Sequence, residues 1–263
     1  MSRTPAPFAA FEWMIAWRFL RARRAEGGVS VMTWISLIGI TLAVFALIAT
    51  LAVRSGFRSE LVDTILGANA HITVYQLPIA NEVGKLDRKI YDYQDMADRL
   101  RALPSVSRAA PLVKGQVMAS YGSKNTGVQV FGLSQEDLKT LPRIVAPENF
   151  QGRIEHFDRG IAIGSGVARL LNARLGDSIK LISPDGVKTA FGTSPRVKSY
   201  PITYIFTAGR YDIDNTRLYL PFSEAQAYFN AEGAADEIEV MVINPEQIEA
   251  LTPDLLHAAG PRA

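Results

Sequence analysis

Cysteine is absent from the 263 residues, which excludes disulfide staples, thiol nucleophiles and cysteine-built metal or redox centres. Histidine is nearly absent: His71, His156 and His257 lie far apart, and none has a second ligand three or four residues on, so no metal site is expected. There is no G-x-x-x-x-G-K-[ST] loop to cradle a nucleotide phosphate, and the carboxylates show no paired spacing. Charge of one sign is also scarce. A net charge of +2, without long basic runs away from an apolar segment, leaves no nucleic-acid footprint. Catalytic residues, cofactors and metals are therefore not expected, and any work done through this chain draws its energy from another one.

What the chain does have is one apolar run. From Gly27 to Val53 no residue carries a charge, and about 20 such residues cross a bilayer. Ser30, Thr33, Ser36, Thr41 and Thr50 are scattered around the helical wheel, where their hydroxyls can bond back to the backbone. A signal peptide is the alternative, but its apolar region is shorter, about 7 to 15 residues, so an anchor that stays is expected. Arg18, Arg21, Arg23 and Arg24 against Glu12 and Glu26 on one flank, with Arg54 and Arg58 on the other, favour a cytoplasmic N-terminus.

Before the run, FAAFEWMIAWRFLRARR gathers Phe8, Phe11, Trp13, Met14 or Ile15, Trp17 and Phe19 in a short helix ending in arginines, suited to a headgroup layer or to burial against protein. Inside it, Ser36, Gly39, Ala43 and Ala46 form a small-residue seam that lets another helix approach. Past Arg54, Phe57, Leu61 and Ile65 keep a helical period and extend the helix to Gly67 without a flexible linker.

The remainder reads as α+β: a strand at His71–Tyr75, a helix at Tyr91–Leu103 stopped by Pro104, and strands at Ala109–Ser120 and Gly127–Phe131. From Gly160 come a strand, a helix Gly166–Leu175 capped by Gly176, and a strand SIKLI. Gly164-Ser165-Gly166 has a dinucleotide-like spacing, but Arg169 stands where a third glycine belongs and the helix is too short. A long basic loop, SPDGVKTAFGTSPRVKS, joins SIKLI to YPITYIF; Pro184 and Pro195 bracket it and Phe191 sits near its tip. Such a loop is either functional or a poorly ordered surface excursion. A strand near Thr216–Leu220, a helix Ser223–Asn230 and a strand Glu237–Ile243 complete the sheet. Asn244–Ala263, rich in Pro and Ala, shows no clean element and reads as a chain cut rather than finished.

The segments FEWMIAWRFLRARRAEGGVSVMTWISLIGI, SGFRSELVDTILGANAHITVY, APLVKGQVMAS, GIAIGSGVARLLNARLGDSIKLISP and GVKTAFGTSPRVKSYPITYIFTAGRYDIDNTRLYLPFSEAQAYF, in this order, resemble the transmembrane subunits of lipoprotein-releasing ABC transporters, the LolC/LolE family. The resemblance implies an inner-membrane permease subunit that is not itself an enzyme, paired with a second LolC/LolE-type subunit, driven by the cytoplasmic ATPase LolD, and passing lipoproteins to the periplasmic carrier LolA. It also implies a MacB-like periplasmic domain with a ferredoxin-like porter part and an inserted sabre part. The resulting division is 1–26 interfacial, 27–53 transmembrane, 54–126 porter, 127–218 sabre and 219–263 porter. The family has four membrane helices and this chain shows one, so truncation is expected. By position, the family's carrier-binding hook falls on Lys180, Pro184, Phe191, Pro195, Arg196 and Lys198. Phe191 would be the apolar anchor and the cations would steer toward an acidic partner. Val44, Ile48, Phe57, Leu61 and Ile65 either face a cavity for acyl chains or pack on the porter part. A MacB/FtsX-type mechanotransmission subunit and a single-helix periplasmic sensor are the competing readings.

Overall fold

The computed structural model describes residues 10–21, 27–66, 69–80, 86–145, 150–189 and 192–263. The chain divides into two compact units, Met1–Leu61 and Val62–Ala263. The first holds α1 (Ala10–Arg21) and all but the last residues of α2 (Gly27–Leu66), a 40-residue helix. Val31–Phe57 within α2 has a mean hydropathy of 2.5, long and apolar enough to cross a membrane. The Thr41 and Thr50 hydroxyls donate to the carbonyls of Leu37 and Ala46, each at 2.7 Å, which removes the polar cost of two of the scattered hydroxyls. The rings of Phe11, Trp13 and Trp17 on α1 are exposed.

After the end of α2, the second unit continues with β1 (Ile72–Val74), a small ribbon of β2 (Ile79–Ala80) and β3 (Leu86–Asp87), and α3 (Tyr93–Arg101). The hairpin β4 (Val106–Tyr121) and β5 (Lys124–Leu133) follows, then α4 (Gln135–Lys139), α5 (Pro142–Val145), β6 (Phe150–Gly152) and a 3-10 turn at Ile154–Arg159. Next come β7 (Ile161–Gly164), α6 (Ser165–Leu171), and a second hairpin of β8 (Ser178–Thr189) and β9 (Gly192–Phe206). The chain continues through α7 (Tyr211–Thr216), β10 (Arg217–Pro221), α8 (Phe222–Phe229), β11 (Glu237–Val242) and α9 (Ile248–Ala259). The class is α+β, as expected.

Two assemblies share β4. Its first half pairs with β11, which pairs with β1, all antiparallel. Helices α3 and α9 cover one face of this layer, burying Met96, Leu100 and Leu255 against Ala109, Ile238 and Val240. The second half of β4 joins a hydrogen-bonded path β4–β5–β10–β7–β9–β8 that returns to β4, a closed six-stranded ring. Alternate residues of its strands, among them Val117 and Ala119, Val128 and Val130, Ile179 and Leu181, and Leu218 and Leu220, meet in one core together with Val167 of α6 and Tyr228 of α8.

Three expectations need correction. The connection between SIKLI and YPITYIF is not a loop: β8 and β9 continue through it, Val187 facing Ser194 and Thr189 facing Gly192 beyond a register shift after Ser183. Pro184 and Pro195 bracket a loop in the sequence, but Pro184 opens a bulge with Asp185 and Gly186 that the ladder resumes past. Helix α6 ends at Leu171 rather than Leu175, because Asn172 takes the left-handed conformation (φ 57°) and stops it early. The tail is also not without structure. α9 forms despite Pro253, which lies on its exposed side, because Leu255 and Ala259 bury on the sheet.

Candidate functional site

Among the described residues no group of three or more His, Cys, Asp or Glu side chains could hold a metal. His71 is structural: its Nδ1 accepts the Val242 N–H at 3.1 Å, and burial holds the imidazole below its ordinary range. Gly164 and Gly166 serve packing instead of a phosphate, since a Cβ at either would collide with Asp214 or Asn215 of α7. Asp214 in turn accepts the N–H groups of Ala208 (2.7 Å) and Gly209 (3.2 Å), fixing the loop that brings α7 there.

The β8–β9 hairpin carries the more informative arrangement. Up to the pair Ser183 and Arg196 its strands are in regular register and belong to the ring. Beyond that rung is the Pro184-Asp185-Gly186 bulge, where a Cβ on Gly186 would overlap the Ser194 carbonyl, so the strands approach more closely than any other residue would allow. The outer arm follows. Phe191, expected as its anchor, lies outside the described residues.

Strand alternation sorts the remaining expected residues onto two faces. On the outer face, Met118 stands opposite Gly127 on one side and Ile182 on the other, and Ile182 opposite Val197. With Gln116, Gln129, Pro184 and Pro195, the residues Met118, Gly127 and Ile182 line a groove of about 720 Å³, and Val197 stands beside it. Met118 and Val197 are exposed at 42% and 56%. Lys180, two residues before Ile182, shares this face and is exposed.

Arg196 and Lys198 face the other way, toward α8. The Arg196 guanidinium donates to the carbonyls of Ala227 and Tyr228 (2.6 Å to the latter) and to the Asn230 side-chain oxygen at 2.7 Å. Lys198 Nζ pairs with Glu224 at 2.5 Å, and the Tyr200 hydroxyl donates to the same carboxylate at 3.3 Å. Burial, followed by the Glu224 charge, raises the Tyr200 pKa well above the phenol range. Two of the three cations expected to steer a partner are thus already engaged inside the molecule. Sequence reasoning missed the apolar row of Met118, Ile182 and Val197. Its only signal was Met118 and Ile182 breaking an otherwise polar alternation on the outward positions of KGQVMASY and SIKLIS.

On α2, Val44, Ile48 and Phe57 are exposed, and the side chains of Leu61 and Ile65 lie outside those described.

Residues 33–257 match the family model of the MacB-like periplasmic core domain. The chain is 27% identical over 254 residues to the lipoprotein-releasing system transmembrane protein LolC of Neisseria meningitidis serogroup B, covering 95% of this chain and 59% of that protein. It is 27% identical over 220 residues to the corresponding LolE of Haemophilus influenzae, covering 82% and 51%. It therefore spans between half and three-fifths of the length of these relatives. Among solved structures, the periplasmic region of MacB from Actinobacillus actinomycetemcomitans matches with a TM-score of 0.48 at 13% identity, over 77% of this chain and 91% of that one.

Proposed function

Because the chain belongs to the family of MacB-like periplasmic core domains, and within it to the LolC/LolE group, we propose that it acts in the permease subunit of an ABC transporter. That transporter takes lipoproteins from the outer leaflet of the inner membrane and hands them to the periplasmic carrier LolA. ATP is hydrolysed by the separate cytoplasmic subunit LolD, and a second LolC/LolE-type subunit completes the membrane part. The N-terminus lies in the cytoplasm, α2 crosses the membrane and the second unit stands in the periplasm. Residues 127–218 form the sabre part within a porter part. Val44, Ile48, Phe57, Leu61 and Ile65 line the lipid path.

The observation that supports the carrier reading is the hairpin that leaves the ring past Ser183 and Arg196, with an uncovered apolar groove at its root. A protein that sheathes acyl chains presents an apolar mouth, and a projecting arm set beside an apolar row complements it.

Capture of LolA by the detergent-solubilised protein tests this. Wild type should retain the carrier, Phe191→Ala should reduce retention, and Met118→Ser with Val197→Ser should reduce it through the apolar row. Equal retention by all variants, or none by wild type, rejects the reading.

A further inference from the structure

We infer that Arg196 is a strut and not a carrier contact: it bolts the root of the hairpin to the C-terminal end of α8 and so sets the direction in which the outer arm projects. The inference rests on the carrier reading for its consequence, but its structural content stands separately.

The position of Arg196 is the first reason. It occupies the last regular rung of the β8–β9 ladder, opposite Ser183, immediately before the bulge. A hairpin interrupted there can bend at the interruption, so whatever holds that rung determines the aim of everything beyond it. Its partners are the second. The last carbonyls of a helix have no intrahelical donors, and α8 ends at Phe229 with Asn230 left-handed (φ 53°). A guanidinium presents several donors in a fixed fork and complements the negative end of the helix dipole. Arg196 takes two of those carbonyls and the Asn230 side chain as well.

The contact is also reciprocal. The Tyr228 hydroxyl of α8 donates to the Arg196 carbonyl at 3.3 Å and receives a backbone hydrogen bond from Ser183, so one phenol touches both strands of that rung. Tyr228 is only 2% exposed and belongs to the ring core. Burial pushes its pKa up to about 12, which keeps the hydroxyl protonated and able to donate. The rung before the bulge is thus tied twice to α8, through a buried core side chain and through the helix terminus.

Spin-label distances in the complete permease separate a strut from a contact, and the absence of cysteine from this chain leaves introduced thiols as its only label sites. One pair, Thr193→Cys with Ser123→Cys, reports the arm against the β4–β5 turn; a second, Ser123→Cys with Lys139→Cys, reports the body alone. Arg196→Gln should broaden the first distribution about twofold and leave the second unchanged. LolA should then dissociate about five to ten times faster, with an unaltered salt dependence, because order is lost and not charge steering. Arg196→Lys, which keeps a donor for the carbonyls, should recover part of both. Asn230→Gly, which removes one partner and keeps the left-handed cap, should broaden the first distribution to a lesser degree. An arm distribution unmoved by Arg196→Gln overturns the strut. If binding also falls with a flatter salt dependence, Arg196 is a contact. Should the wild type fail to bind LolA, the carrier reading falls, and the strut is decided by the distances alone.

Discussion

The two halves of β4 lie in one strand and are used in opposite ways. From Val106 to Leu112 both faces are occupied: α3 and α9 cover one, and the other carries the buried ion pair of Arg108 and Glu239 (3.1 Å) with Leu112 and Met241 beside it. From Val113 to Tyr121 the strand is part of a ring whose inside is filled by Val117 and Ala119 together with Val167 of α6 and Tyr228 of α8, and its outward side chains are left uncovered. The outward residues Gln116 and Met118 are left to line a groove. A layer covered by helices commits a whole face to them, whereas a closed ring turns its apolar side chains inward and leaves its exterior for a partner. Candidate contacts accordingly gather on the ring and its hairpin.

The sharpest way to break this contrast is at the buried pair. Glu239→Leu strands the Arg108 guanidinium, 4% exposed, without its counter-charge, and should cost about 3–5 kcal/mol of stability. The double change to Arg108→Met with Glu239→Leu should recover most of that loss in denaturant titrations. A single mutant as stable as wild type shows that the first half of β4 is less tightly committed than described. Next comes Leu100→Ala, which opens a cavity between α3 and the sheet and should cost about 2–4 kcal/mol. Met118→Ser, on the second half of β4, should cost under about 1 kcal/mol, because the side chain is 42% exposed and packs in no core. On the proposed carrier function, its effect should appear in LolA affinity instead, at about threefold to tenfold. Equal destabilisation by Leu100→Ala and Met118→Ser removes the distinction between the halves.

The same comparison marks what could be read from the sequence. The apolar run of α2, the helix α3 and the alternating cores of β4 and β5 are legible because a single local period dictates each. The α8 tie is not. Arg196 and Lys198 look like free basic residues beside a loop, and their partners Glu224, Tyr228 and Asn230 come 26 to 34 residues later, on a helix whose placement depends on closure of the ring. The continuity of β8 and β9 past Pro184 was hidden for a different reason. Proline and glycine announce a break, and only the register of the partner strand shows that the break is a bulge. Helix α9 was missed because its local sequence, with Pro253 inside, is poor, and tertiary burial of Leu255 and Ala259 outweighs that.

The smallest expected effect lies on the β1 edge of the helix-covered half. His71 follows α2 by a few residues, and its Nδ1 accepts from Val242 on β11, so only an imidazole unprotonated at that nitrogen keeps the bond. Burial lowers its pKa in the folded state. The unfolded chain therefore binds the proton first as pH falls, and the contribution of His71 is present above its unfolded pKa and lost between that value and the lower folded one. Melting temperature should decline modestly from pH 7 to pH 5. In His71→Gln, whose side-chain oxygen can accept the same N–H without titrating, the decline should be shallower. No similar dependence is expected from the hairpin root, where Tyr228 stays protonated until far above neutral pH. Labels on the arm should accordingly report the same distances at pH 5 and pH 7. Acid-induced movement of the arm together with an unaltered melting curve would reverse the assignment of the pH-sensitive region, placing it on the ring instead of the layer.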